Sequence, residues 1–113
     1  MSKYGNRKTT VDGVTFDSLA ESRRYQELQI MQRAGLISHL TCQPEWELIP
    51  AYKRKDGTKV RATKYRADFS YTDCVTKEFI VEDVKGKATE VYKIKRKLFE
   101  YMFTDMTFVE VKA

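Results

Sequence analysis

The chain has 113 residues, 42% of them hydrophobic and 33% charged, which is enough for one domain with a modest core. Seven Tyr, six Phe and one Trp provide apolar surface to offset the entropy of ordering, so disorder is excluded. No apolar run approaches the ~20 residues of a membrane span, and no signal peptide is evident, so we expect a cytoplasmic protein that binds no membrane. Two lone cysteines and one histidine argue against zinc and indicate reduced thiols.

The net charge is +5, and basic residues cluster in two stretches of the chain. Seven lie within residues 53–66 and six within residues 85–97, and the two stretches flank the acidic stretch 78–83. An acidic stretch between two basic stretches suits a metal site that acts on a phosphate backbone. The alternative is that the basic residues form two solvated, lysine-rich faces. The candidate nucleic-acid-binding residues are Arg7, Lys8, Lys53, Arg54, Lys55, Lys59, Arg61, Lys64, Lys87, Lys93, Lys95, Arg96 and Lys97.

The N-terminal part of the chain predicts an arm, a hairpin and a helix. Residues 1–8 are predicted to form a flexible basic arm, and a turn at residues 12–13 joins two short strands. Ser18 and Glu21 have the spacing of a capping box, which begins a helix expected to end at Gly35. The apolar positions of this helix are Ala20, Leu28 and Met31, with Tyr25 at their edge.

Three strands are predicted next, joined by turns and expected to pair in antiparallel fashion. They cover residues 46–52, 60–71 and 78–85, and the turns cover residues 55–58 and 72–76. Pro50 interrupts the first strand and indicates an edge or a bend. In the second strand one face is expected to carry Tyr65, Ala67, Phe69 and Tyr71, and the other Arg66, Asp68 and Ser70.

A second helix and a last strand complete the prediction. The helix covers residues 89–103 and the strand residues 107–111. The apolar stripe of the helix is predicted to consist of Val91, Ile94, Leu98 and Met102, with Phe99 beside it. The order of helix, three antiparallel strands, helix and strand predicts one α/β domain over residues 1–113, with a mixed central sheet flanked by helices.

The candidate chemistry begins at the end of the third predicted strand. Alternation along a strand places Asp83 and Lys85 on one face, with Glu82 and Val84 on the other. A carboxylate beside an ammonium in a buried strand is costly unless each has a partner. Asp83 is therefore a candidate ligand for a hard cation. Lys85 is a candidate to orient or deprotonate an attacking water, or to stabilise charge on phosphate oxygens.

Asp68 is the second candidate carboxylate. It precedes Asp83 by fifteen residues on the neighbouring predicted strand, and antiparallel pairing brings directly opposed Cβ atoms to ~5 Å. Two carboxylates that face one point repel each other, and a cation would offset that repulsion. The pair therefore predicts a metal site.

Two further charged residues fall on the predicted buried sides of the helices. Glu21 projects beside Tyr25 and Leu28, either as a site acid or only as the partner of Ser18 in the capping box. Lys95 lies on the apolar side of the second helix. Its ammonium either faces a phosphate or reaches solvent while the aliphatic part of the side chain lies along apolar surface.

Taken together, the sequence resembles the restriction-endonuclease-like PD-(D/E)XK nuclease superfamily, and in particular a family of small phage and prophage proteins. The resemblance extends over nearly the whole chain. It is carried by residues 3–6, Phe16-Asp17-Ser18, Glu21, Arg24-Tyr25, Gln43-Pro44, Tyr65, Ala67-Asp68-Phe69 and Val81-Glu82-Asp83-Val84-Lys85-Gly86.

The resemblance implies a Mg²⁺- or Mn²⁺-dependent phosphodiesterase. Asp68 and Asp83 would be metal ligands together with the backbone carbonyl of Val84. Glu21 would be a further ligand, direct or through water, and Lys85 would be the catalytic lysine. Ala67 stands where the superfamily name has proline, which is often absent, and Asp-x-Lys replaces Glu-x-Lys, which is an accepted variant.

The implied function is a DNA endonuclease, acting on branched or recombination intermediates of phage DNA. It would act in the cytoplasm of the bacterial host if phage-encoded, and as a homodimer if it cuts both strands at once. The alternatives are a non-catalytic nucleic-acid-binding or phage assembly module that retains the fold, and a small basic adaptor protein.

Overall fold

A computed structural model describes residues 8–113 of the chain. Residues 1–7, which include Arg7 and most of the predicted arm, lie outside the described residues. Lys8 is exposed and precedes the first strand. Within residues 8–113 no helix is long and apolar enough to cross a membrane, and Cys42 and Cys74 are free thiols.

The described chain forms two helices and ten strands. The helices are α1 (Leu19–Arg33) and α2 (Glu90–Met102). The strands are β1 (Thr9–Val11), β2 (Val14–Phe16), β3 (Ile37–Cys42), β4 (Glu45–Ile49), β5 (Tyr52–Lys53), β6 (Lys59–Val60), β7 (Thr63–Arg66), β8 (Phe69–Asp73), β9 (Phe79–Lys85) and β10 (Thr107–Lys112).

The N-terminal hairpin and α1 follow the prediction. Asp12 and Gly13 have φ angles of 52° and 79°, the left-handed values that a two-residue hairpin turn requires. The Ser18 hydroxyl accepts a hydrogen bond from the Glu21 N–H at 3.2 Å, and a Glu21 carboxylate oxygen accepts one from the Asp17 N–H at 3.2 Å. Gly35, with φ of 79°, follows the end of the helix. Ser18 is confirmed as the N-cap and Gly35 as the residue that follows the helix, while the reciprocal bond of the capping box comes from the Asp17 N–H in place of the Ser18 N–H.

A four-stranded mixed sheet in the order β10-β9-β8-β3 forms the centre of the molecule. Strands β3, β8 and β9 are antiparallel, and β10 is parallel to β9, to which it is joined through α2. Helix α1 packs on one face of the sheet and α2 on the other. The predicted mixed α/β architecture with flanking helices is confirmed.

The prediction of the strands was wrong in two places. The first antiparallel strand of the central sheet is β3, which was not predicted, and the predicted strand 46–52 lies outside that sheet as β4 and β5. The predicted strand 60–71 is divided into β6, β7 and β8. The chain bends at residues 43–44 and again at residues 67–68, and the two bends lie side by side. The Gln43 N–H donates to the Asp68 carbonyl at 2.9 Å, and the Ala67 N–H donates to the Pro44 carbonyl at 3.0 Å.

The coincident bends divide the core between the two faces of the sheet. Tyr65 and Ala67, before the bend, pack on the α2 side, while Phe69 and Tyr71, after it, pack on the α1 side. The prediction that these four residues share one face was therefore wrong, because the bend at residues 67–68 interrupts the alternation.

The predicted apolar stripe of α2 was also wrong in part. Tyr92 and Phe99 face the sheet and are buried, whereas Val91 and Ile94 are 63% and 59% exposed. Phe99 contacts the Trp46 ring at a centroid distance of 4.9 Å. The aromatic residues therefore determine which side of the helix is buried, in place of the aliphatic residues that give the clearest periodicity.

A buried ion pair fixes α1 to the sheet. Glu82 is completely buried in β9 and accepts two hydrogen bonds from the Arg24 guanidinium, at 2.8 and 2.7 Å. The Tyr71 hydroxyl donates a third hydrogen bond to the same carboxylate. The bidentate geometry positions the helix as well as neutralising the charge.

We expect Arg24→Met to lower the free energy of unfolding by about 3 kcal/mol, because removing one partner leaves the Glu82 carboxylate buried and uncompensated. Urea unfolding at pH 7 measures the change. Arg23→Met on the exposed side of the same helix is the matched control and should change stability little. Equal losses in the two variants would contradict the role given to the ion pair.

Candidate active site

Asp83 and Lys85 lie on one face at the end of β9, as the alternation predicts. The Lys85 ammonium is 3.1 Å from Asp83 Oδ1, and the Tyr65 hydroxyl donates a hydrogen bond to Oδ2. Asp83 is 2% exposed, and within residues 8–113 its buried Oδ1 accepts no hydrogen bond. The ammonium is therefore close enough for ionic attraction but not aligned for a hydrogen bond. One oxygen of a buried carboxylate is left without a directional partner.

Asp68 lies at the bend between β7 and β8, beside Asp83. The register of β8 and β9 pairs Phe69 with Glu82, so its next step places Asp68 opposite Asp83. Asp68 Oδ2 accepts a hydrogen bond of 2.6 Å from the Val84 N–H. The pKa of Asp68 is raised to about 7. Burial is the largest cause, the charges of Glu21 and Asp83 add to it, and the hydrogen bond from the Val84 N–H opposes it.

Glu21 faces the same group of charges from the first turn of α1. Burial is the largest cause that raises the pKa of Glu21, and the charges of Asp17 and Asp83 add to it. Its charge also acts on Asp68, and that of Lys85 acts on Glu21. Glu21 thus closes the capping box and contributes negative charge to this site, so the two interpretations of its position are compatible.

A cleft of about 380 Å³ opens over Asp83 and Lys85. Four cationic side chains line it, Lys64, Arg66, Lys85 and Lys95, against the carboxylates of Glu45 and Asp83. Tyr92 forms part of the wall, and the Lys85 ammonium lies 4.4 Å from the centroid of its ring. The cleft is cationic overall with a carboxylate at its base, which suits a phosphate ligand.

The oxygen ligands at this site fit a magnesium ion. Mg²⁺ keeps several waters and binds proteins through one or two carboxylates, completing its shell with substrate phosphates. Asp68 and Asp83 supply two carboxylates, and the buried Oδ1 of Asp83 accepts no hydrogen bond from the described part of the chain. In residues 8–113 no group of three or more His, Cys, Asp or Glu side chains is arranged to hold a metal. The fit therefore rests on two carboxylates and main-chain oxygen.

The main-chain oxygen is the carbonyl of Val84. The Lys85 carbonyl accepts a hydrogen bond from the Ala113 N–H, on the β10 side of the strand. Because successive carbonyls alternate between the two edges of a strand, the Val84 carbonyl points to the other edge. The Val84 N–H donates to Asp68 at that edge.

The candidate nucleic-acid-binding residues are not all gathered at the cleft. Lys64 and the half-buried Lys95 line it. Arg96 lies elsewhere, with salt bridges to Glu100 at 3.3 Å and to Glu110 at 3.2 Å. The exposed residues outside the cleft are Lys53, Arg54, Lys55, Lys59, Arg61, Lys87, Lys93 and Lys97.

A family model described as "Protein of unknown function (DUF1064)" matches residues 1–113 of the chain. The chain belongs to the DUF1064 family. Neither the curated proteins nor the solved structures include a significant match to it. For this DUF1064 chain, the site geometry is therefore the basis for any assignment of function.

Sequence reasoning missed three residues that contact the candidate site or position it. Tyr65 donates to Asp83, Tyr92 lies under the Lys85 ammonium, and Arg24 holds the helix that carries Glu21. Tyr65 and Arg24 belong to the stretches that carry the family resemblance, which was their only signal. Tyr92 had none, since it was assigned no place on the buried side of α2.

We expect the metal-free protein to become less stable as pH rises from 5 to 7.5. The folded-state pKa of Asp68 is raised to about 7, above the ordinary value of about 4. Between these values the folded chain binds more protons than the unfolded chain, so the free energy of unfolding falls.

Urea unfolding in a chelator at several pH values measures this fall. The decrease in the free energy of unfolding with pH should be smaller in Asp68→Asn. Asp105→Asn, at an exposed position, should show the same decrease as the wild type. Parallel curves for the wild type and Asp68→Asn would contradict the assignment.

We expect Mn²⁺ and Mg²⁺ to raise the thermal midpoint of the wild type. A cation at one hundred times its dissociation constant stabilises the folded state by about 2.7 kcal/mol. Thermal unfolding followed by circular dichroism measures the shift, which Asp83→Asn should remove and Asp105→Asn should retain. An equal shift in all three proteins would show that the cation binds elsewhere.

Proposed function

We propose that this DUF1064 protein is a metal-dependent endonuclease that hydrolyses phosphodiester bonds of DNA. The observation that carries the proposal is the convergence of Asp68, Asp83 and Lys85, of which Asp83 and Lys85 line a cationic cleft and Asp68 lies opposite Asp83 on the neighbouring strand. Two adjacent carboxylates, one of them with its pKa raised to about 7, and a lysine 3.1 Å from the other form a set suited to phosphoryl chemistry.

Each side chain has a role in the proposed reaction. Asp68, Asp83 and the Val84 carbonyl would hold a divalent cation, with Glu21 as a further ligand, direct or through water. Such a cation polarises the phosphate and lowers the pKa of the attacking water. The Lys85 ammonium, kept in place by Asp83 and Tyr92, stabilises negative charge that develops on the phosphate oxygens. Lys95 and Lys64 hold the flanking phosphate backbone at the rim of the cleft.

The order of elements supports this proposal, because it is the order that we expect of a restriction-endonuclease-like core. Helix α1 precedes three antiparallel strands, and α2 leads into a strand parallel to β9. The proposed ligands lie on β9 and at the start of the neighbouring β8, with Glu21 on α1. We therefore assign the domain to the PD-(D/E)XK superfamily as part of the proposal, together with the resemblance to small phage proteins.

The rival proposal is a nucleic-acid-binding or phage assembly module without catalysis. Such a module needs the exposed lysines but has no use for a carboxylate buried without full hydrogen bonding. Asp83 is 2% exposed, and its Oδ1 has the Lys85 ammonium at 3.1 Å but no hydrogen bond from the described residues, so this buried oxygen can still accept a cation. This observation favours the nuclease over the module and over a basic adaptor.

The biological setting is proposed on the same basis. A homodimer would place two sites on opposite strands, and sedimentation at micromolar concentration with and without duplex DNA tests it. Branched and recombination intermediates of phage DNA are the proposed substrates, and the cytoplasm of the bacterial host is the proposed location.

We expect purified wild type with Mg²⁺ to nick or linearise supercoiled plasmid, and Asp83→Asn to abolish cutting. Lys85→Met should lower the rate by about 10²- to 10⁴-fold, the range for loss of a group that assists proton transfer or charge stabilisation. Binding of DNA should persist in both variants, because the exposed cations remain. Single-turnover cleavage and fluorescence anisotropy measure the two properties.

The matched control for this experiment is Lys77→Met, which removes an exposed lysine after β8. It should cut at the wild-type rate. Cleavage by Asp83→Asn at the wild-type rate would sink the nuclease proposal, and so would a wild type that cuts none of linear, nicked, flapped or four-way substrates.

A further inference from the structure

The segment between β4 and β7 forms a two-stranded ribbon of its own. Strands β5 and β6 pair with each other in a separate two-stranded sheet, with Tyr52 opposite Val60 and Lys53 opposite Lys59. Every residue from 50 to 59 is exposed and Val60 is half-buried, so little of the ribbon is covered. A hairpin with so little packed surface contributes little to a core and is marginally stable alone.

The turn at the tip of the ribbon has a defined geometry. The Arg54 N–H donates to the Thr58 carbonyl at 2.8 Å, and the Gly57 N–H donates to the Arg54 carbonyl at 2.9 Å. Gly57 has a φ of 90°, which favours glycine, as in three-residue hairpin loops. Asp56 accepts two hydrogen bonds from Thr58, at 2.9 and 2.6 Å. The tip is therefore ordered by its own contacts.

The ribbon concentrates positive charge, and Asp56 at its tip is its one acidic residue. Five cations lie on it or next to it, and none has a carboxylate within salt-bridge distance in residues 8–113; they are Lys53, Arg54, Lys55, Lys59 and Arg61. Lys53 and Lys59 are directly opposed across the two strands. Directly opposed like charges destabilise a strand pair. An anion that binds between them removes this cost.

The length of chain between the ribbon and the cleft indicates what kind of anion the ribbon binds. Lys64 lines the cleft on β7, and Lys59 lies five residues before it in the chain. At ~3.3 Å per residue this is up to roughly 17 Å. That length corresponds to about five base pairs of duplex DNA at 3.4 Å each.

We propose that the ribbon of residues 52–61 enters the major groove of duplex DNA within about five base pairs of the phosphate held in the cleft. The major groove of B-form DNA, about 12 Å wide, admits a two-stranded ribbon, whereas that of A-form RNA is too deep and narrow. Lys53 and Lys59 contact the DNA from one face of the ribbon, and the cations at its tip contact the backbone that borders the groove. This inference rests on the proposed function and assigns double-stranded DNA as its substrate.

The test is binding of the full chain in the Asp83→Asn background, which separates recognition from cleavage. Anisotropy measures affinity for a 24-base-pair DNA duplex, one of its single strands and the duplex RNA of the same sequence. We expect the DNA duplex to bind at least tenfold more tightly than the other two. Adding Lys53→Gln and Lys59→Gln should weaken duplex binding at least tenfold and reduce the steepness of the salt dependence, because two positive charges close to the phosphates are lost.

The matched control removes two cations from the opposite end of the central sheet. Arg33→Gln with Lys77→Gln loses the same charge at exposed positions, and should weaken binding less than threefold. Dimethyl sulfate footprinting adds a groove-specific readout, because guanine N7 lies in the major groove. Protection of N7 should appear in the parent complex and disappear with the two lysine substitutions, while thermal midpoints confirm that the variants fold.

Several outcomes would overturn the inference. They are equal weakening by the two double variants, single-stranded DNA or RNA bound as tightly as the duplex, and unprotected N7 in the parent complex. Binding of an acidic protein to the ribbon in place of DNA would also overturn the inference. Groove binding as expected, combined with no cleavage by the wild type under Mg²⁺, would leave the inference standing and remove the nuclease proposal.

Discussion

The buried contact between Arg24 and Glu82 is the interaction on which the arrangement of the site depends. It joins α1 to β9 through two hydrogen bonds of 2.8 and 2.7 Å, and Tyr71 completes the set from β8. Glu21 lies one helical turn before Arg24, so the contact that positions the guanidinium also positions the first turn of the helix. Packing of Tyr25 and Leu28 holds the same helix on the sheet, and the ion pair adds a directional contact one turn from Glu21.

Glu82 and Asp83 are consecutive buried acids that the strand directs to opposite faces of the sheet. On the α1 face the carboxylate of Glu82 is fully bound by a guanidinium and a phenol. On the α2 face Asp83 has one hydrogen bond from Tyr65 and a lysine 3.1 Å away that makes none. The same residue class is therefore structural on one face and incompletely satisfied on the other. Incomplete satisfaction of a buried charge is what a ligand site requires, since complete satisfaction would leave no free oxygen.

Local rules predicted much of this arrangement from the sequence. Alternation along a strand correctly placed Asp83 beside Lys85 and directed Glu82 to the other face, and the capping box correctly began α1 at Ser18. The long-range juxtaposition of Asp68 and Asp83 was also accessible, because two strands joined by a short turn have few possible registers.

The errors arose where tertiary structure overrides local periodicity. Strand β3 was missed because its register with β8 shifts between Ser38 and Thr41, where His39 has a φ of 58°, and such a bulge disrupts alternation. The bend at residues 67–68 reversed the faces of the residues after it, an effect with no counterpart in composition. In α2, contact of Phe99 with the Trp46 ring outweighed the better aliphatic periodicity of Val91 and Ile94.

The acidic site and the basic ribbon share one physical property, which is repulsion between like charges that the described chain compensates only in part. In the acidic site, burial is the largest cause that raises the pKa of Asp68. The charges of Glu21 and Asp83 add to it, while the Val84 N–H and Lys85 oppose it. On the ribbon, Lys53 lies opposite Lys59. A small cation relieves the first repulsion and a polyanion relieves the second, and the two ligands attract each other. A complex of divalent cation and DNA would therefore bind more favourably than the sum of its parts, because each ligand also reduces the electrostatic cost of the other. That coupling gives a physical reason for the protein to keep both charge clusters, with Lys59 of the ribbon five residues before Lys64 of the cleft.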